Sequence, residues 1–139
     1  MITAVFDSNV VVGGSLWRGQ AYLCLVAMAR RRVRVFSSAW ILEEVRRSVS
    51  QLQERGLTGE SDPWPVVNWF AGTARLVIPF PTGKQRSRDP KDDPILGTGL
   101  ASAARVIVTF DKDVLVLRKP FGIEVIPPAE LLARIQTAV

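Results

Sequence analysis

The chain has no histidine. That absence removes whole reaction classes at once, because a Ser-His-Asp triad, a Cys-His nucleophile, paired-histidine RNA cleavage and a histidine-ligated zinc site all need an imidazole. Chemistry is left to carboxylates, lysines and hydroxyls. There is one cysteine, Cys24, so an internal disulfide, a cysteine metal cage and a redox pair are excluded. Its setting, Tyr22-Leu23-Cys24-Leu25-Val26, is that of a small buried hydrophobe. Long apolar runs are missing too: each is broken by Arg, Gly or Pro well short of the roughly 20 residues that span a membrane. A soluble chain with no membrane partner is expected. The opening Met1-Ile2-Thr3-Ala4-Val5-Phe6 carries no basic leader or cleavage site before Asp7, so it reads as a strand and the expected compartment is the cytoplasm.

What is present is a chain of 139 residues, 47% apolar and 22% charged, enough to bury a core. No internal repeat, low-complexity tract or linker interrupts it, and residues 1–139 are expected to form a single domain. Eighteen basic residues face thirteen acidic ones, for a net charge of +5. Fourteen of the eighteen are arginine, whose planar fork suits phosphate, so the balance favours a polyanionic partner.

Strand and helix patterns alternate along the chain. Ile2 to Phe6 is a short apolar run suited to a strand covered on both faces. Gly13-Gly14 marks a loop, and Ala21 to Ala29 is a helix closed by Arg30-Arg31-Arg32, cations that complement its dipole. Val33 to Phe36 is a second strand, and Ser37-Ser38 can cap a helix from Ala39 to about Gln53. After a turn at Gly56 to Gly59, Asp62-Pro63 starts a shorter helix over Trp64 to Thr73. Leu76 to Ile78 is a third strand, and Pro79 to Asp92 is one long basic loop. A helix from Pro94 to about Ala104, a strand Val106 to Thr109, a short helix through Val114 to Leu117, a strand Ile123 to Ile126 and a helix Pro128 to Ala138 follow. This order predicts a three-layer α/β/α sandwich with a central, mainly parallel five-stranded sheet.

In such a sheet the ligand crevice lies beyond the carboxyl ends of the strands. Asp7 follows the first strand directly and Asp111 follows the fourth, so their carboxylates converge if those strands are neighbours. Asp92 and Asp93 end the basic loop and can reach the same edge. Helical phase supplies a fourth acid: Ile41, Val45, Val49 and Leu52 form one stripe, Glu44 lies on its flank, and Glu43 points to water. Asp7, Glu44, Asp92 and Asp111 together would repel one another unless a cation sat among them. Mg²⁺ or Mn²⁺ answers that need with a preference for oxygen ligands, and metal-assisted phosphodiester cleavage needs no histidine.

Each acid also has a plainer reading. Asp7 fits a turn or helix cap, and Glu44 a solvated helix face. Asp93 directly precedes Pro94 and is well placed as an N-cap, which favours Asp92 as the ligand. Asp113 is the expected cap or supporting group beside Asp111. Asn9 and Thr109 can hydrogen-bond near the pocket, or serve the turns alone. Lys84, Arg86, Arg88 and Lys91 are a solvated surface or, being beside Asp92, phosphate contacts.

The sequence resembles the PIN-domain family, in particular VapC-like toxins of prokaryotic toxin–antitoxin systems. The likeness covers nearly the whole chain and rests on four segments: the first strand with Asp7-Ser8-Asn9; Ser38-Ala39-Trp40-Ile41-Leu42-Glu43-Glu44-Val45; Asp89-Pro90-Lys91-Asp92-Asp93-Pro94-Ile95-Leu96; and Val108-Thr109-Phe110-Asp111-Lys112-Asp113. The resemblance implies an Mg²⁺- or Mn²⁺-dependent endoribonuclease with Asp7, Glu44, Asp92 and Asp111 as its acidic quartet and Asn9, Thr109 and Asp113 as accessory residues. It also implies a homodimer, and a cognate antitoxin protein that covers the acidic pocket. Two features depart from the family pattern: Asp92-Asp93 leaves the third acid ambiguous by one residue, and Gly97 and Gly99 stand where alanine is frequent, weakening that helix.

Two other functions compete. A non-catalytic nucleic-acid- or protein-binding module of the same fold would use the basic charge and Trp17, Trp40, Trp64 and Trp69 at an interface. A phosphoryl-transfer enzyme with Asp7 as nucleophile would call for a second acid two residues on, where Asn9 stands, and Gly13-Gly14 lacks the Lys-Ser/Thr ending of a phosphate-cradling loop.

Overall fold

A computed structural model describes residues 1–83 and 93–137. The described residues form five strands and seven α-helices in the order β1 (Ile2–Phe6), α1 (Ser8–Leu16), α2 (Gln20–Ala29), β2 (Val33–Ser37), α3 (Ala39–Glu54), α4 (Trp64–Thr73), β3 (Arg75–Leu76), α5 (Asp93–Ser102), β4 (Val106–Val108), α6 (Lys112–Leu115), β5 (Glu124–Ile126) and α7 (Pro128–Thr137). The sheet runs β3-β2-β1-β4-β5 and every pairing is parallel. Helices cover both faces, because successive residues of β1 point to opposite sides and Ala4, Val5 and Phe6 are all fully buried. This is the expected three-layer α/β/α sandwich.

The chain winds from β1 outward through β2 to β3, then returns to the other flank of β1 for β4 and β5. The strand order therefore reverses between β1 and β4, the place where open parallel sheets offer a ligand position beyond the carboxyl ends. Phe6 pairs with Val108 at that edge.

The glycine pair is a correction. Gly13 and Gly14 do not form a loop; they lie inside α1. Their low helix propensity is outweighed by what their missing side chains permit. A Cβ on Gly14 would meet the Leu25 side chain and the Ala21 carbonyl oxygen at 3.1 Å, so the glycine lets α1 and α2 approach closely. Asp7 caps α1, its side chain accepting from Ser8 N–H. Among the described residues no single helix is long and apolar enough to cross a membrane; α1 and α2 pass only as a pair bent by 96°.

The helical phase of α3 is as expected. Ile41, Val45 and Val49 are fully buried, while Glu43 is exposed and paired with Arg46. Ser38 caps this helix and its hydroxyl lies 3.0 Å from Thr98 Oγ1 on α5, which joins the start of α3 to the layer above β1 and β4. Cys24 is buried with its thiol 3.8 Å from the Pro128 carbonyl, and burial pushes its pKa up to about 12.

Candidate active site

The site grows out of the ends of β1 and β4. Asp7 N–H donates to the Val108 carbonyl at 2.9 Å, extending the β1–β4 ladder by one residue. That bond fixes the backbone from which the Asp7 carboxylate projects. One carboxylate oxygen, Oδ1, accepts from Ser8 N–H at 2.7 Å. The other, Oδ2, accepts from the Thr109 hydroxyl at 2.7 Å and from Asn9 Nδ2 at 3.4 Å.

Asn9 and Thr109 hold each other as well. Asn9 Nδ2 lies 3.3 Å from Thr109 Oγ1, and its Oδ1 accepts from Phe110 N–H at 3.2 Å. Thr109 Oγ1 also accepts from Asp111 N–H at 3.0 Å. Its own backbone N–H is tied to Ile126 in β5 at 3.1 Å. A continuous hydrogen-bonded network therefore runs from Asp7 through Asn9 and Thr109 to the backbone of Asp111.

Electrostatics set Asp7 apart. It is 3% exposed, and its pKa is raised above the ordinary 3.8, first by loss of water and also by the negative charge of Asp111. The bonds from Thr109 and Ser8 pull the other way without cancelling the burial. A carboxylate in this setting is costly to ionise unless a positive charge joins it.

Asp111, half-buried, is the cap of α6: its Oδ1 accepts from Asp113 N–H at 2.9 Å. The capping role expected of Asp113 thus belongs to Asp111, since the helix begins at Lys112 and leaves Asp113 in its first turn. Asp93 lies in the first turn of α5. Glu44 is half-buried on α3. Asp92, Lys84, Arg86, Arg88 and Lys91 lie outside the described residues.

Among the described residues no group of three or more Asp, Glu or Cys side chains sits together closely enough to hold a metal ion. The described part of the site is the Asp7–Asp111 pair with its supporting hydroxyl and amide. Its donors are all oxygen, and its buried carboxylate faces a second negative charge. That chemistry fits a hard divalent cation.

A model of the PIN domain matches residues 3–113. Among solved structures, the chain is similar to PAE2754 from Pyrobaculum aerophilum, with a TM-score of 0.65 and 15% sequence identity, covering 98% of this chain and 90% of that one. No curated protein matches the sequence. The structural likeness concerns the fold, whereas the family match takes in β1, β4 and both Asp7 and Asp111. The chain belongs to the PIN-domain family, whose members are generally nucleases that use divalent metal ions.

Proposed function

We propose that the protein is an Mg²⁺- or Mn²⁺-dependent endoribonuclease that hydrolyses RNA phosphodiester bonds, serving as the toxin of a toxin–antitoxin pair. The observation that carries this reading is the burial of Asp7 against the charge of Asp111 at the point where the strand order reverses. In this reading Asp7 and Asp111 hold the ion together with Asp92, and Glu44, which among the described residues does not stand in one group with that pair, is the proposed fourth acid. A bound divalent ion supplies Lewis-acid stabilisation of charge on phosphate oxygens and lowers the pKa of a coordinated water.

The chain's own residues do the positioning. Thr109 and Asn9 fix Oδ2 of Asp7, and Ser8 N–H and its hydroxyl fix Oδ1. Asp113 N–H orients Asp111 in the same way. Lys84, Arg86, Arg88 and Lys91 are the proposed phosphate contacts beside Asp92. A homodimer and a cognate antitoxin whose segment covers the acidic pocket belong to the same proposal.

The test is cleavage of a broad RNA panel by the purified protein. Cleavage is expected in Mg²⁺ or Mn²⁺, is expected to stop on chelation, and should fall by more than about 100-fold in Asp7→Asn. Equal cleavage by the wild type and that variant would point to another site. No cleavage of any RNA would favour the non-catalytic binding module.

A further inference from the structure

The entrances to parallel strands collect at the sheet edge opposite the carboxyl ends. In this chain the entrances are lined with arginine. Arg31 and Arg32 lead into β2, Arg34 is its second residue, Arg75 opens β3, and Arg105 leads into β4. All five are exposed. Register brings two of them to the flanks of one residue: Arg34 stands opposite Thr3 of β1, while Arg105 N–H donates to Thr3 O at 3.0 Å and Thr3 Oγ1 at 3.1 Å. Across the order β3-β2-β1-β4 the arginines span three strand spacings, about 14 Å, with Arg75 set opposite Phe36, two positions further along β2 than Arg34.

Two cavities lie along it. One of about 560 Å³ is walled by Arg31, Arg32, Arg105 and Arg134, and one of about 340 Å³ by Arg31, Arg34 and Arg75. They meet at Met1 and Arg31, and no acid lines either. Arg134 is held by Glu124 at 2.6 Å and Glu130 at 2.8 Å. Glu124, which also senses Arg105, is thereby committed to Arg134. Among the described residues none of the other five arginines has a carboxylate within 4.0 Å. Neighbouring guanidiniums that share no counter-charge raise the local potential and favour an anion between them.

We propose that this arginine row is a second binding site, taking the phosphate backbone of RNA at the end of the sheet remote from Asp7. The choice of RNA rests on the nuclease reading. The concave form supports it: guanidinium forks around recesses suit a projecting phosphodiester chain better than a planar lipid surface. From Thr3, the level of Arg34 and Arg105, to Asp7 the strand advances about 13 Å at roughly 3.3 Å per residue, so only an RNA long enough to bridge that span gains from both.

The experiment is binding of a labelled RNA oligonucleotide followed by anisotropy in EDTA, where divalent ions make no contribution. Arg31→Gly with Arg105→Gln is the main variant, since Arg31 sits at φ 59°, a left-handed conformation that glycine adopts without strain. Arg34→Gln with Arg75→Gln tests the second cavity separately. Arg47→Gln with Arg55→Gln removes the same charge from exposed positions on and just after α3. Each row variant is expected to weaken binding by about 10-fold or more. The slope of log affinity against log salt should fall by about 1.4, from two phosphates at about 0.7 each. The control is expected to stay within about 3-fold of wild type.

Equal losses in row and control variants would overturn the proposal, as would absence of RNA binding by the wild type. So would losses confined to inorganic phosphate or phosphatidylserine vesicles with RNA binding unchanged. Cleavage by the same protein preparations, assayed separately in Mg²⁺ or Mn²⁺, separates the two readings. Selective loss of binding without any cleavage in the wild type refutes the nuclease and keeps the arginine site; cleavage with no selective loss does the reverse.

Discussion

The Thr109 hydroxyl donates to Asp7 Oδ2 at 2.7 Å, joining residues 102 positions apart in the chain. It also accepts from Asp111 N–H, so one oxygen orients both acids of the pair. Thr109→Val keeps the shape and removes the donor. Chemical denaturation at neutral pH should show a loss of about 2 kcal/mol, the usual worth of a hydrogen bond to a charged group. Cleavage should drop by about 10- to 100-fold, as for other residues that orient metal ligands, and Thr109→Ser should recover most of both. An undiminished rate in the valine variant would show that the hydroxyl has no positioning role.

Asp7 also predicts an unusual stability profile for the metal-free protein. Its folded pKa lies above the ordinary 3.8, so its contribution is most favourable below that value and is lost as pH rises through the folded pKa. Asp7→Asn has no such titration. In EDTA the variant should therefore melt higher than wild type at neutral pH, with the gap closing in acid. Saturating Mn²⁺ should reverse the order by stabilising only the wild type, by about 2.7 kcal/mol at one hundred times Kd. A gap independent of pH would falsify the link to this carboxylate.

Gly97 should resist replacement although it lies in a helix. Phe80 N–H donates to Gly97 O at 2.9 Å, and a Cβ at that position would strike the Phe80 carbonyl and approach Pro79 Cβ to 3.2 Å. Gly97→Ala is expected to cost about 1–3 kcal/mol net of its gain in helix propensity. Gly72→Ala on α4, where nothing lies within 4 Å of the added carbon, should instead stabilise by up to about 1 kcal/mol. Thermal unfolding of both variants in parallel checks the contrast.

Cys24 should be inert. Its thiol is buried and its pKa is pushed up to about 12, leaving almost no thiolate at neutral pH. A thiol reagent is expected to label it only after denaturant unfolds the chain. Labelling of the native protein at the rate of a free thiol would mean that α2 opens readily.

Much of the carboxyl edge could be read from the residues, because it follows from local rules. An apolar run ending in an acid marked the ends of β1 and β4, and helical phase turned Glu43 to water and buried Ile41, Val45 and Val49. The glycine pair in α1 misled because its reason is tertiary: Gly14 admits Leu25 from a different helix. Which acid caps α6 turned on where the helix begins, a boundary that pattern alone locates poorly. The arginine row was hidden for another reason. Arg31, Arg34, Arg75 and Arg105 are scattered in sequence, and only the strand order gathers them around two adjoining cavities; the available hint was that each stands at or just before a strand.

The central position of β1 has a consequence during synthesis. Its partner on one flank, β4, begins only at Val106. A nascent chain on the ribosome thus holds β1 with one edge bare until Val106 has emerged, exposing backbone groups that invite mispairing. Over the same interval Asp7 waits without Asp111, so a prematurely terminated product lacking β4 is born without the acidic pair.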